Sequence, residues 1–209
     1  MKKRIKMFLV LLLLIGVGIL IYFYLPPILS DAIYPLEYRD WIKKYAAQYD
    51  LNPNYVAAVV FSESHFNSGA TSPVGARGLM QIMPATGAGI AKNLGEGGSY
   101  DAGKLYDPET NLRYGCYYLS SLVHKYAYRD SLPLIAYNGG VGLADRYAVS
   151  RAVPNPETSY YVVKVKKNEQ IYNQLYGQWW EVKKADDKKE KPKKPTLKDL
   201  ILSWVLGRS

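Results

Sequence analysis

The sequence predicts a mainly α-helical protein, one transmembrane helix followed by a single, nearly all-helical exported domain. Three observations lead there. Apolar residues recur at helical spacing nearly everywhere after the first 30 positions, and alternating strand patterns are scarce. Residues 7–25 form an apolar run without a charge. A length of 209 residues allows one domain of ordinary size with room for tails, and there are no internal repeats.

The N-terminus reads Met1-Lys2-Lys3-Arg4-Ile5-Lys6, followed by the uncharged run, which Pro26-Pro27 is expected to end. As a helix those 19 residues measure about 28 Å, the thickness of a bilayer's hydrocarbon core. Basic residues precede the run, and Asp31, Glu37 and Asp40 are among those that follow. The charge asymmetry leaves the N-terminus in the cytoplasm and the remainder outside the cell membrane. A cleaved signal peptide is the rival reading, with small residues around Ser30-Asp31-Ala32. Either way the domain is exported. The only cysteine, Cys116, lies far from the hydrophobic segment, which excludes a lipoprotein and an internal disulfide.

The domain is expected over residues 31–182. Trp41, Ile42, Tyr45, Ala46 and Tyr49 recur at helix spacing. Asn52-Pro53 then supplies a cap and a first-turn proline for a helix through Val56, Val59 and Val60 to Glu63. Pro84 opens another helix to about Leu94, and residues 95–99, Gly-Glu-Gly-Gly-Ser, read as a loop. Asp107-Pro108-Glu109 caps a long helix carrying Cys116, Leu119, Leu122 and Val123, in which Cys116 reads as a buried small hydrophobe. A shorter helix holds Leu132 to Tyr137 and is broken by Asn138-Gly139-Gly140; a last one starts near Glu157 and runs to Tyr176.

Residues 183–195 are Lys-rich, Pro-containing and almost free of apolar residues, which predicts a solvated linker. Leu197, Leu200, Ile201, Trp204 and Val205 then share one face of a short helix, suited to a membrane surface or a partner protein but too short to span. The lysines of this tail would meet anionic wall polymers or lipid headgroups. The net charge of +9 belongs to the ends: residues 1–30 carry +4, residues 183–209 carry +5, and the domain between them is neutral. A nucleic-acid groove in the domain is therefore not expected.

The most informative chemistry lies at Phe61-Ser62-Glu63-Ser64-His65-Phe66. A carboxyl at the end of an apolar helix between phenylalanines is desolvated, so it stays protonated near neutral pH and can serve as a general acid. Other chemistries lack their residues. Two histidines, His65 and His124, and no His-Glu-x-x-His motif give no ordinary catalytic zinc site. No nucleophile elbow, Walker loop or dinucleotide fingerprint occurs, so no metal and no cofactor is expected. Asp101, Asp107, Glu109, Asp130, Asp145 and Glu157 fall in capping, loop or helix-start contexts and read as structural.

Four motifs stand in order: Glu63-Ser64, Gly78-Leu79-Met80-Gln81, Ala136-Tyr137-Asn138, and Glu157-Thr158 followed by Tyr161-Val162. In them the chain resembles lytic transglycosylases of the soluble-lytic-transglycosylase type, relatives of goose-type lysozyme. The resemblance covers roughly residues 38–177 and implies a lysozyme-like α+β domain. One departure is Gly139, where the family more often has alanine. The resemblance implies peptidoglycan glycan strands as substrate, with one carboxyl, Glu63, as both acid and base. It would cleave the bond between N-acetylmuramic acid (MurNAc) and N-acetylglucosamine (GlcNAc), and leave 1,6-anhydromuramoyl ends. It further implies that Ser64, Gly78, Met80, Gln81, Tyr137 and Asn138 meet the sugar, and that Tyr161 presents its phenol to Glu63. A lysozyme delivering water and a glycan-binding scaffold on the same fold remain alternatives.

Overall fold

The structure is a computed structural model that describes residues 2–127, 131–150 and 155–180. The predicted linker and amphipathic tail of residues 183–209, and Asp130, lie outside the described residues. Eight α-helices occur among them: α1 Lys2–Ile33, α2 Arg39–Gln48, α3 Pro53–Ser64, α4 Pro84–Asn93, α5 Pro108–Tyr126, α6 Leu132–Gly139, α7 Val141–Ser150 and α8 Pro156–Trp180. Short 3-10 turns at Gly97–Ser99 and Ala102–Tyr106 join α4 to α5. The β part is small. Among the described residues it consists of two isolated bridges, Thr71 with Arg77 and Arg77 with Ile82, in the connection between α3 and α4.

The chain divides into two compact units, Leu36–Asn173 and one made of Met1–Pro35 with Gln174–Ser209. In the first, α3 is the central element because it is apolar on nearly every side: Val56, Ala57, Ala58, Val59 and Val60 have no exposed surface. Burying each valine side chain contributes on the order of 1.5–3 kcal/mol. The start of α3 is set locally. Asn52 Oδ1 accepts the amide of Asn54 at 2.8 Å, and Pro53 occupies a position where its missing N–H is not needed. Its end is equally defined, since His65 (φ 51°) and Phe66 (φ 65°) are both left-handed and turn the chain away.

The long α5 begins as predicted, with Asp107 Oδ2 accepting the Thr110 amide at 2.8 Å. It buries Leu112, Cys116, Leu119, Leu122 and Val123. Cys116 is fully enclosed, and burial pushes its thiol pKa up, as expected of a small hydrophobe rather than a nucleophile. Up to Asn173, α8 runs antiparallel to α3, because Asn54 Nδ2 donates to Asn173 Oδ1 at 2.6 Å while Asn168 Nδ2 reaches Ser62 Oγ at 2.9 Å.

Three element expectations need correction. The first helix does not end at Pro26-Pro27 but continues to Ile33. The fixed φ of proline is compatible with a helix, which runs on through the pair although two ladder donors are lost and a proline ring crowds the turn before it. The helix predicted over Leu132 to Tyr137 runs two residues further, to Gly139, and of the expected breaker Asn138-Gly139-Gly140 it is Gly140 (φ 85°) that ends α6. Helix α7 follows at once and was not predicted. As for the predicted span, no helix among the described residues is long and apolar enough to cross a membrane; the side chains of residues 8 and 21–25 lie outside the described set. In the second unit, Tyr176 Oη donates to the Tyr34 carbonyl at 2.6 Å.

Candidate active site

Glu63 sits on the last turn of α3, partly buried, with protein packed around its carboxyl. Tyr161, from the first half of α8, donates its hydroxyl to Glu63 Oε1 at 2.6 Å. Burial pushes the carboxyl up to about 7; the Tyr161 hydrogen bond and the positive charge of Lys164 pull the other way and are outweighed. A glutamic acid with that proton affinity is half protonated near neutrality, so it can donate a proton and accept one back. Around it stand two enclosed phenols, Tyr161 and Tyr137, both held neutral by burial and secondarily by the negative charge of Glu63. Tyr118 packs on Tyr137 with ring centroids 5.5 Å apart.

The loop of residues 78–81 is fastened to this site from three sides. Ser64 Oγ donates to the Leu79 carbonyl at 2.8 Å, and Tyr137 Oη donates to the Met80 carbonyl at 2.7 Å. The third fastening is Asn111, fully buried on α5. Its Oδ1 accepts the Met80 amide at 2.8 Å, while its Nδ2 donates to the carbonyls of Arg77 at 2.8 Å and Leu105 at 2.7 Å. Gly78 (φ 74°) lies against this clamp so closely that a Cβ would stand 2.1 Å from the Leu105 oxygen and 2.4 Å from Asn111 Nδ2. Only glycine fits there. Gln81 is itself left-handed (φ 46°), and its Nε2 donates to the carbonyls of Gly78 at 2.9 Å and Ala70 at 3.2 Å.

The structure therefore brings Glu63, Ser64, Gly78, Met80, Gln81, Tyr137 and Tyr161 into one neighbourhood, with their polar atoms largely turned toward one another. Met80 has no exposed surface, and its side chain fills the space over Gly115, where an added Cβ would meet the sulfur at 2.2 Å. Asn138 is exposed, and its Oδ1 accepts the hydroxyl of Thr158 at 2.8 Å; the Thr158 amide in turn goes to Asn155 Oδ1 at 2.8 Å, capping α8. That joint packs tightly at Gly139, where a Cβ would meet Leu143 at 2.4 Å and Thr158 Oγ1 at 3.1 Å. The glycine lets α7 fold close against α6. Asn111 was not singled out in the sequence. Its only local signal is an amide on the apolar face of α5, one turn after the cap.

Most other carboxylates of the domain are engaged elsewhere; Glu169, on α8, is half-buried, and burial raises its pKa. Asp101 and Asp107 accept backbone amides at helix starts. Glu109 pairs with Lys44 and Tyr45, and Asp145 with Lys125 and Tyr126. Glu96 receives Arg113 in a two-pronged ion pair at 2.5 and 2.7 Å and Tyr114 at 2.8 Å, and the guanidinium holds it down at about 2. This anchors the glycine-rich loop of residues 95–98 to α5. Glu157 is exposed in the first turn of α8. Among the described residues no group of three His, Cys, Asp or Glu could hold a metal ion.

Comparison with known proteins gives the same frame. The family described as "Transglycosylase SLT domain" matches residues 40–157. The chain is 33% identical to the soluble lytic murein transglycosylase of Escherichia coli K12 over 155 residues, covering 69% of this chain and 24% of that protein. With the membrane-bound lytic murein transglycosylase C of Haemophilus influenzae the identity is 32% over 148 residues, 66% of this chain and 40% of that one. The fold is similar to that of an inactive glutamate-to-glutamine mutant of the lytic transglycosylase Slt from Pseudomonas aeruginosa. That match has a TM-score of 0.64 and 28% identity, and covers 69% of this chain and 25% of that one. The chain thus spans about a quarter of the length of the soluble relatives it matches. The matched stretch contains Glu63, the 78–81 loop and Tyr137, and on these grounds the chain belongs to the transglycosylase SLT domain family.

Proposed function

We propose that this protein is a peptidoglycan lytic transglycosylase in which Glu63 is the single general acid and base. The observation that carries the reading is a carboxyl enclosed at the end of α3 and bonded to one buried phenol, whereas the other described carboxylates of the domain cap helices, form ion pairs or lie exposed, except Glu169, half-buried on α8, which makes no hydrogen bond to Tyr161 or the 78–81 loop. An ordinary glycosidase needs a second carboxylate, as nucleophile or as base for water. A single carboxyl suffices when the nucleophile belongs to the substrate. Glu63 gives its proton to the oxygen of the MurNAc-β-1,4-GlcNAc bond as the bond from the muramoyl C1 breaks. The muramoyl 6-hydroxyl closes on C1, and its proton returns to the Glu63 carboxylate. No water is consumed. The product is a 1,6-anhydroMurNAc end, and the effective-molarity advantage of an attack within one sugar favours it over hydrolysis.

The roles of the surrounding residues follow from their places. Tyr161 orients the carboxyl. Ser64, Tyr137, Asn111 and Gly78 hold the 78–81 loop in register beside it, and Gln81 and Asn138 lie at the margin where a glycan strand would pass. In this reading residues 1–33 anchor the enzyme in the cell membrane, with the domain on the wall side. The uncharged run supports it, as do its exposed apolar side chains Leu9, Leu13, Leu14 and Leu20.

The test is mass spectrometry of purified peptidoglycan digested by the protein and by Glu63→Gln. Muropeptides one water lighter than hydrolysed ones, absent with the variant, are the expected result. Reducing-end products would make the protein a lysozyme, and no products from either protein would leave a glycan-binding scaffold.

A further inference from the structure

One face of α8 meets Ser62 and Glu63 near the end of α3. Tyr161, Lys164 and Asn168 stand at helical spacing, three and four residues apart. Tyr161 reaches the Glu63 carboxyl at 2.6 Å; Lys164 Nζ donates to the Ser62 carbonyl at 2.7 Å; Asn168 Nδ2 donates to Ser62 Oγ at 2.9 Å. The Ser62 carbonyl and Glu63 share a peptide unit, so the ammonium is bound at the root of the acid side chain. Other ionisable groups on the surrounding elements are phenols, an imidazole and a guanidinium. Tyr137 on α6 and Tyr161 on α8 are phenols kept neutral by burial, with Tyr55 of α3 and Tyr118 of α5 beside them. His65 lies at the end of α3 with its ring on Phe61, centroids 4.6 Å apart. Arg77, on the loop before α4, lays its guanidinium on the Tyr106 ring at 5.4 Å.

We infer that Lys164 is a positioning residue for Glu63: tethered to the Ser62 carbonyl, its ammonium fixes the last turn of α3 and supplies the positive charge against which the Glu63 carboxylate forms. The inference rests on Glu63 being the acid and base of the proposed reaction. A carboxyl used twice must lose its proton readily enough to act as acid and then hold the anion long enough to take a proton back. Burial alone would leave it too weak an acid. A neutral phenol stabilises the anion by one hydrogen bond; a fixed cation adds field without competing for the same oxygen. Lys164 is also placed to act through the backbone, because its donor satisfies a carbonyl near the helix end that has few partners of its own.

The experiment uses the full chain in detergent and reads Glu63 directly, from its carboxyl infrared band or the carboxyl carbon resonance of labelled glutamate, titrated against pH. Glu63→Gln identifies the signal. In Lys164→Met the midpoint is expected to rise by about 1 pH unit, as for loss of a nearby opposite charge. Lys164→Arg should return it close to the parent value. Lys164→Gln keeps a donor for the Ser62 carbonyl and removes only the charge; it should show the same rise and serves if the methionine variant does not fold. A midpoint unmoved in Lys164→Gln overturns the inference. In a parallel assay of peptidoglycan cleavage, the alkaline limb of kcat/KM should move with the titration. A parent protein that titrates as expected but cleaves no peptidoglycan would sink the proposed reaction and leave the role of Lys164 toward Glu63 standing.

Discussion

At the scale of single residues, the state of Glu63 makes two predictions of opposite practical sign. In the proposed reaction the free protein needs Glu63 protonated to give its proton to the glycosidic oxygen, so kcat/KM should be full below and lost as pH rises through about 7. Replacing Tyr161 with phenylalanine removes a hydrogen bond that favours the carboxylate, so the limb should shift to higher pH. At its optimum the variant should lose activity by a factor on the order of 10–100, because the acid is no longer held in line. A limb that stays in place would show that the phenol does not govern the proton. For stability the same carboxyl is a liability. Its pKa is raised in the folded state from 4.5 to about 7, so folding disfavours ionisation. The penalty is absent below the unfolded value, grows as pH rises between the two values, and is constant above the folded one. Glu63→Gln should therefore gain roughly 2–3 kcal/mol over the parent in urea unfolding at pH 8, and show little gain at pH 4.

At the scale of elements, the connection between α3 and α4 owes its shape to groups distant in sequence. Asn111, on α5, uses both amide hydrogens and its oxygen on the backbone of residues 77, 80 and 105. Removing it leaves the buried Met80 amide and Leu105 carbonyl unpaired at about 1–3 kcal/mol each before relaxation, while the Arg77 carbonyl keeps the Ile82 amide. Asn111→Ala should thus lower stability by several kcal/mol, and its effect on cleavage should appear in kcat more than in KM, since the loop it holds flanks the acid. Gly78→Ala should be at least as harmful, because the new methyl would meet backbone and the dihedral resists any L side chain. Equal stability of Gly78→Ala and the parent in urea would refute the clamp. These dependencies also explain what could be read from the sequence. The starts of α3 and α5 were legible because an Asx-Pro pair sets a helix start within four residues. The raised proton affinity of Glu63 was legible because its place at the end of an apolar helix between phenylalanines is a local property. Asn111 and Lys164 were not, since each acts on residues 31 and 102 positions away respectively. Helix α7 was hidden because Gly140 separates it from α6 by one residue, and only packing against α6 shows that both sides are helical.

At the scale of the whole molecule, the ends carry the charge and the domain carries the chemistry, which fits an enzyme held near its polymeric substrate. The run of residues 7–25 holds fourteen Leu, Ile, Val and Phe side chains. At about 0.3–0.6 kcal/mol each at the bilayer centre they favour insertion by about 4–8 kcal/mol together. The four basic residues before the run oppose transfer across the membrane. Insertion should therefore be stable and oriented, with the stub inside. The full chain is expected in the membrane pellet after a carbonate wash of cells, and protease added to spheroplasts should digest the domain while leaving a membrane-bound N-terminal fragment. Replacing residues 1–33 by a cleavable secretion signal should shift the protein to the soluble exported fraction without changing its activity on isolated peptidoglycan. Cleavage near Ala32 in the parent protein, seen as a shortened N-terminus in that soluble fraction, would instead make the segment a signal peptide. The lysines of residues 183–209 would then be a candidate for holding the protein at a surface, and high salt should release a protein held only by them.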